Sequence, residues 1–203
     1  MECTRCPRLA AFIAENKVKF PAFFNAPVPP FGDPQARLLI VGLAPGLKGA
    51  NQTGRPFTKD YAGDLLYPTL IKYGWANGEY KADPHDGLQL AGALITNAVR
   101  CVPPQNKVTP QEIRTCNSYL QATIQKLTEL KVILSLGAVS HSAVLTAFGL
   151  KKSAYPFGHG AVHDLPRGIV LIDSYHCSRY NTNTGVLTTE MFETIFDKIK
   201  TFF

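Results

Sequence analysis

Four short, unbroken apolar runs constrain this chain more than any other feature: Arg37-Leu-Leu-Ile-Val-Gly42, Ala93-Leu-Ile-Thr-Asn-Ala98, Lys131-Val-Ile-Leu-Ser-Leu136 and Gly168-Ile-Val-Leu-Ile-Asp173. A strand with one wet face alternates apolar and polar residues, so runs lacking that alternation suit strands covered on both faces. The segments between them read as helices. Thr109-Pro110-Gln111-Glu112 places an N-cap, a proline at the first helical position and a glutamate at the third, which is a capping box. Ile113, Cys116, Leu120, Ile124, Leu127 and Leu130 then recur every three or four residues as one buried stripe. A second helix is expected from Gly137 through Ala147, and a third closes the chain with Met191, Ile195, Phe196 and Ile199 inward. Strands alternating with helices predict an α/β fold, a parallel sheet covered on both faces, within one domain over residues 1–203.

Such a sheet says where to look for chemistry, because ligands bind outside the carboxyl ends of its strands. Those ends are Gly42-Leu-Ala-Pro-Gly46, Asn97, Leu136-Gly137 and Ser174-Tyr175-His176. With 45% apolar and 18% charged residues among 203, the chain is an ordinary globular protein, which excludes disordered, collagenous and low-complexity classes. No stretch approaches the roughly 20 consecutive apolar residues of a membrane span; the longest run, Leu38 to Leu43, soon meets Pro45 and Gly46. The opening Met-Glu-Cys-Thr-Arg-Cys-Pro lacks the apolar core of a signal peptide, so a cytosolic, reducing compartment and no membrane partner are expected. There, five cysteines do not read as a disulfide framework. A net charge of +6 and a pI near 9.1 favour a polyanionic partner.

Gly49-Ala-Asn-Gln-Thr-Gly54 has the glycine spacing of a phosphate-cradling loop, but Arg55-Pro56 stands where the required Lys and Ser/Thr would be. No Gly-x-Gly-x-x-Gly follows any strand, which disfavours dinucleotide binding as well. What remains is a Gly/Pro-rich loop, either a plain tight turn or one whose backbone N–H groups approach a ligand closely. Cys3-x-x-Cys6 with Cys101 and Cys116 makes a candidate four-thiolate site for zinc or for a 4Fe-4S cluster. The scattered second pair suits the cluster better than a zinc ribbon, and the plain alternative is that Cys101 and Cys116 are small buried hydrophobes. His176 opens a polar segment delivered by a buried strand, as active-site residues often are. His159 and His163 are four residues apart, but Gly158 and Gly160 argue against a helix that would align them on a metal; His141 reads as structural and His85 as a loop residue.

Four segments together, Gly42-Leu-Ala-Pro-Gly46, Gly54-Arg-Pro-Phe-Thr-Lys-Asp60, Thr96-Asn-Ala-Val-Arg-Cys-Val-Pro-Pro104 and His176-Cys-Ser-Arg-Tyr-Asn-Thr-Asn-Thr-Gly185, resemble the motifs of the uracil-DNA glycosylase superfamily. They are most similar to its fifth family, the type-b enzymes with an iron–sulfur cluster, and the likeness runs from Cys3 to the C-terminal helix. The resemblance implies a three-layer α/β/α sandwich with a central four-stranded parallel sheet, and a monomer. It implies hydrolysis of the N-glycosidic bond of a damaged base in double- or single-stranded DNA, leaving an abasic site. It also assigns Cys3, Cys6, Cys101 and Cys116 as ligands of a 4Fe-4S cluster that staples the N-terminal knuckle to the helix beginning after Thr109.

Carried onto these residues, the resemblance has Phe57 stack on a base flipped out of the duplex, with Gly42, Leu43, Ala44 and Gly46 lining its pocket. His176 hydrogen-bonds the base where negative charge develops, and Asn97 recognises the base or positions water. Other families of the superfamily carry a polar or acidic residue at the places of Leu43 and Ala44; the fifth lacks it, and Asp60 becomes the candidate carboxylate for water or the sugar cation. The plain alternative for Asp60 is a loop residue or helix N-cap. A pocket with few side-chain donors is expected to accept hypoxanthine and xanthine besides uracil. Ser178, Arg179 and Tyr180 are expected to face DNA, the last two filling the gap left by the flipped base. The family's His-Pro-Ser is His176-Cys177-Ser178 here, and Cys177 is either a tolerated substitution or an oxidation-sensitive neighbour of the site. Lys48, Arg55, Lys59, Arg100, Lys107 and Arg179 lie in or beside these loops as an expected phosphate footprint. The competing readings are a non-catalytic iron–sulfur or zinc nucleic-acid-binding module, which would not need His176 or Asn97, and a redox iron–sulfur protein.

Overall fold

Each of the four apolar runs contains a strand without an exposed residue, and the computed structural model, which describes residues 3–203, pairs all four strands in parallel. In chain order the strands are β1 (Phe31–Gly32), β2 (Leu38–Gly42), β3 (Ala76–Asn77), β4 (Gln89–Leu90), β5 (Ala93–Asn97), β6 (Val132–Leu136), β7 (Val162–Leu165) and β8 (Ile169–Ser174). The main sheet has the order β1-β5-β2-β6-β8-β7, and β3 and β4 form a separate short ribbon. The helices are α1 (Pro7–Lys19), α2 (Ala50–Thr53), α3 (Tyr61–Lys72), α4 (Pro110–Lys126), α5 (Ala138–Ala147), α6 (Arg179–Asn183) and α7 (Thr189–Lys200).

The four-stranded expectation needs one addition, since antiparallel β1 and β7 extend the parallel core to six strands. The reason is visible in their burial. β7 is partly solvated along its length and β1 has two residues, so neither carries the continuous apolar signature of a strand covered on both faces. Successive side chains of the central strands divide between two layers. Leu38, Ile40, Ile95, Leu134 and Ile172 meet Leu66 and Leu70 of α3 and Phe192, Phe196 and Ile199 of α7. Leu39, Val41, Leu94, Ile133 and Leu171 meet Leu120 and Ile124 of α4 and Val144 and Leu145 of α5. These are the three layers of an α/β/α sandwich.

Helices α4 and α5 begin where the sequence predicts, and the expected C-terminal helix is α7, with Ile195, Phe196 and Ile199 buried and Met191 partly so. At Thr109 the capping box is complete: its hydroxyl accepts from Glu112 N–H, and the Glu112 carboxylate accepts from Thr109 N–H. Ile113 is only half-buried and packs at the junction between the sheet core and the small core under α1. The same Glu112 carboxylate takes both donors of Arg8, at 2.7 Å each, and so ties α1 to α4. Helices α1 and α3 were not expected from periodicity; α3 even contains Pro68. The parallel strands run in the order second, first, third, fourth by sequence, so connections diverge from β2 and open a crevice at its carboxyl end.

Phe192 and Phe196 are fully buried against the sheet and pack edge to face, with ring centroids 5.3 Å apart. Replacing Phe196 with alanine is expected to destabilise the fold by about 3–5 kcal/mol in urea unfolding, whereas Val18→Ala on exposed α1 surface changes stability by less than about 0.5 kcal/mol.

Candidate active site

The crevice is a cleft of about 460 Å³ lined by the ends of β2 and β5, the Phe57–Ala62 segment and the segment after β8. Strand register decides its floor. Gly42 and Asn97 are partners in the β2–β5 pair, so the last residues of two neighbouring strands lie side by side. A Cβ at Gly42 would overlap both the Phe57 ring and the Asn97 side-chain oxygen, which makes glycine the residue that lets the ring and the amide close over the strand end. His176 follows β8, and its ring faces that of Phe57 with centroids 6.4 Å apart. Among the described residues no group hydrogen-bonds its imidazole, while its backbone carbonyl accepts from the Asn181 side chain at 2.8 Å. Burial lowers the His176 pKa, so the ring stays neutral at physiological pH.

Phe57 is 6% exposed and has φ 57°, a left-handed conformation that costs a non-glycine residue of the order of 1–3 kcal/mol. The surroundings enforce it. Arg55 makes two hydrogen bonds, 2.7 and 2.8 Å, to the carboxylate of Asp86 and a third through Nε to Thr58. Its guanidinium also stands over the rings of Phe31, Tyr67 and Tyr80. Tyr67 donates to the Pro56 carbonyl and Tyr80 to that of Phe57. The Arg55 hydrogen bonds hold the Asp86 carboxyl far below the usual carboxylate range.

Asp60 occupies the N-cap position of α3 but does not cap it with its side chain. The carboxylate turns the other way, accepts from Ala50 N–H at 3.2 Å and packs so closely on Gly46 and Gly49 that a Cβ at either would overlap it. Burial raises its pKa, opposed by the Ala50 and Gly46 N–H groups. The plain N-cap alternative therefore does not describe this residue.

Leu43, Ala44, Gly46, Phe57, Asp60, Asn97, His176, Ser178 and Arg179 all line the one cleft, with Gly42 behind it. Ser178 caps α6 by accepting from Asn181 N–H, Arg179 lies over the Tyr61 ring at the rim, and Tyr180 is 74% exposed. Two expected members of the phosphate footprint are elsewhere. Arg55 is 5% exposed and saturated by Asp86, and Arg100 packs on Tyr119 and bonds Thr123. Lys48, Lys59, Lys107 and Arg179 remain exposed. Cys177 lies in the core without exposure, its thiol pushed up to about 12 by burial, so it is not an oxidation-sensitive neighbour of the cleft. Asp86 and Tyr80 hold the site but carried no sequence signal, and Asn181 fell within a motif without a role assigned to it; Asp86 stands 31 residues from Arg55 in a turn-rich polar loop.

Cys101 and Cys116 are buried in a separate small core with Leu9, Ile13, Val99 and Val102, and Cys6 packs against it. Cys3 is close enough for its charge to act on Cys6, Cys101 and Cys116. The Cys101 thiol is pushed up to about 12 by burial first and then by Cys116, Cys3 and Cys6.

A ring-sized cleft at the switch point of a parallel sheet, with an aromatic wall, an unengaged imidazole and a buried carboxylate, defines the class: an α/β/α enzyme that handles a planar base or similar ring. The model of the Uracil DNA glycosylase superfamily matches residues 29–200, and the chain belongs to that family. A type-5 uracil-DNA glycosylase of Thermus thermophilus is 48% identical over 94% of this chain and 89% of its own length. One from Mycobacterium bovis is 40% identical over 98% and 77%. A type-4 uracil-DNA glycosylase of Sulfurisphaera tokodaii is 29% identical over 90% and 79%, so the similarity is graded towards type 5.

Arg55→Met would leave the Asp86 carboxylate buried without its cation, and is expected to cost about 3–5 kcal/mol in chemical denaturation. Lys72→Met, at a pair that is largely exposed on the lysine side, is expected to cost less than about 1 kcal/mol in the same assay.

Proposed function

We propose that this single domain is a monofunctional uracil-DNA glycosylase that takes a damaged base out of DNA and hydrolyses its N-glycosidic bond. The observation that supports it best is the convergence of Phe57, Asn97, His176 and Asp60 on one cleft of ring size, in a chain nearly half identical to a named type-5 enzyme. A base inside a duplex is out of reach of such a cleft, so the nucleotide must flip. Phe57 stacks on the flipped ring, and the backbone of Gly42 to Gly46 borders it. The exposed Tyr180, with Arg179 and Ser178, faces the duplex and fills the vacated position.

In the reaction the bond between sugar C1′ and base nitrogen breaks, and its electron pair leaves with the base. Neutral His176, unengaged by the protein, donates a hydrogen bond to the base oxygen where that charge gathers. Asn97 offers a donor and an acceptor to the base edge. Asp60 stabilises the cationic sugar and accepts the proton of the water that adds to C1′; the departing base anion is protonated in turn. Its raised pKa makes it a stronger base than a free carboxylate. Leu43 and Ala44 bring no side-chain donor to the pocket, which supports acceptance of hypoxanthine and xanthine besides uracil. The polyanionic substrate also fits the +6 net charge, and DNA implies an intracellular site of action. No helix among the described residues is long and apolar enough to cross a membrane. The alternative of a non-catalytic nucleic-acid-binding module gives no account of the Phe57 strain or the Asp60 orientation.

The donor set of Cys3, Cys6, Cys101 and Cys116 fits a 4Fe-4S cluster. A single zinc ion would hold its sulfurs about 3.8 Å apart, as follows from Zn–S bonds of about 2.3 Å. Among the described residues the one group of three or more such ligands within 4.8 Å of one another contains no cysteine, so the thiols stand wider than a mononuclear site. Buried thiols with raised pKa stay protonated unless a positive centre takes them as thiolates. The bound cluster would supply a covalent tie between the segment before α1, the loop after β5 and α4.

Release of free base from uracil-containing duplex is expected for the purified protein, with His176→Ala lowering the single-turnover rate by about 100-fold or more while DNA binding persists. Retained base release in that variant would remove His176 from catalysis. The acid limb of the rate should lie above the ordinary carboxylate range, because Asp60 must be ionised and its pKa is raised; Asp60→Asn should abolish the limb and slow the reaction by about 10²–10⁴-fold. Protein isolated without oxygen should be brown, with absorption near about 400 nm that Cys116→Ala removes.

A further inference from the structure

Asp173, in β8, is completely buried, and its two carboxylate oxygens are treated very differently. Oδ1 accepts from the Ser135 hydroxyl at 2.6 Å and lies 2.8 Å from His141 Nδ1. Oδ2 has no hydrogen-bond partner and faces His163 Nε2 across 3.5 Å, and that nitrogen is likewise buried and without one. Buried polar atoms with no partner are destabilising until something joins them. They face one another at the edge length of a tetrahedron around a metal, about 3.3–3.4 Å for ligand bonds of about 2.0–2.1 Å. The three ligand atoms of His141, His163 and Asp173 all lie within 4.8 Å of one another, and none of these residues lines the cleft.

We propose that His141, His163 and Asp173 bind one divalent transition-metal ion of the zinc class. Two imidazoles and one carboxylate suit zinc or cobalt rather than calcium or magnesium, which require oxygen shells. The groups around the ligands are arranged as a metal site needs. The second nitrogen of His141, Nε2, is 2.9 Å from the Tyr155 carbonyl, so the nitrogen offered to the ion is Nδ1, which would exchange its contact with Asp173 Oδ1 for the metal, and Ser135 fixes the carboxylate. On binding, the M–Nδ1, M–Nε2 and M–O contacts form, the 2.8 Å contact between His141 Nδ1 and Asp173 Oδ1 breaks, and any proton on His141 Nδ1 or His163 Nε2 passes to solvent. His163 stands on the edge strand β7 and is the most accessible of the three, so the ion can enter from that side. The bound ion would join α5 and β7 to the strand whose next residues deliver His176.

The test uses the cluster-containing protein handled without oxygen and titrated with Co²⁺ and Zn²⁺ by calorimetry and visible absorption. One equivalent is expected to give the d–d bands of nitrogen and oxygen ligation without a thiolate charge-transfer band. His163→Ala should weaken that equivalent by at least about 100-fold, more than loss of an outer partner costs, and remove the zinc-dependent rise in Tm. Absence of the equivalent in the wild type, equal affinity in the variant, or thiolate bands alone would overturn the proposal. Should His163→Ala not fold, electron spin resonance of the Cu²⁺-loaded wild type decides the matter. Coupling to two imidazole nitrogens supports the site, and its absence overturns it. Base release is not a readout here, so failure of this site leaves the glycosylase reading untouched.

Discussion

The structure depends on the double-sided burial of its central strands. Because β2, β5, β6 and β8 are covered on both faces, the side chains along their length are buried, and polar function is displaced to their carboxyl ends. The parallel direction puts those ends on one edge, and the divergence of connections at β2 keeps the edge open. Asn97 and His176 are therefore neighbours of one cleft although 79 residues separate them, a consequence of topology rather than of any local contact.

What the sheet does not provide is a roof, and a loop held by ionic rather than hydrophobic forces supplies it. Arg55 and Asp86 are buried together, so removing either partner strands the other, and the pair offers the loop one low-energy arrangement. That arrangement places Phe57 in a backbone conformation it would not choose and turns Asp60 away from the helix it precedes. The strain and the misplaced cap lie within four residues of each other and both point into the cleft, as is common where local preference yields to function.

Much of this was legible in the sequence for one physical reason: signals carried by burial are local and periodic. Runs covered on both faces marked β2, β5, β6 and β8, and the capping box marked the start of α4 to the residue. The half-solvated β7, the two-residue β1 and the helices α1 and α3 carry weak periodicity and were not legible. The residues that line the cleft could be found because they fall at strand ends and within motifs. Their supports could not. Arg55 looked like a phosphate ligand, because a charge in a loop is ordinarily solvated and only the fold brings Asp86 to it. The His141, His163 and Asp173 group was hidden likewise, since it joins a helix, an edge strand and a central strand whose contact no spacing reveals.

The carboxylate of Glu112 bears on how the N-terminal segment is assembled. It serves the backbone of Thr109 and the two donors of Arg8 at once, so the start of α4 is both a helix cap and a mooring for α1. Mooring by ordinary hydrogen bonds needs no metal. The chain before α1 is thus held beside α4 by polypeptide folding alone, with Cys6 packed against the small core that contains Cys101 and Cys116. In folding terms, the N-terminal segment can take its place as soon as α4 has formed, without waiting for anything the chain does not itself supply.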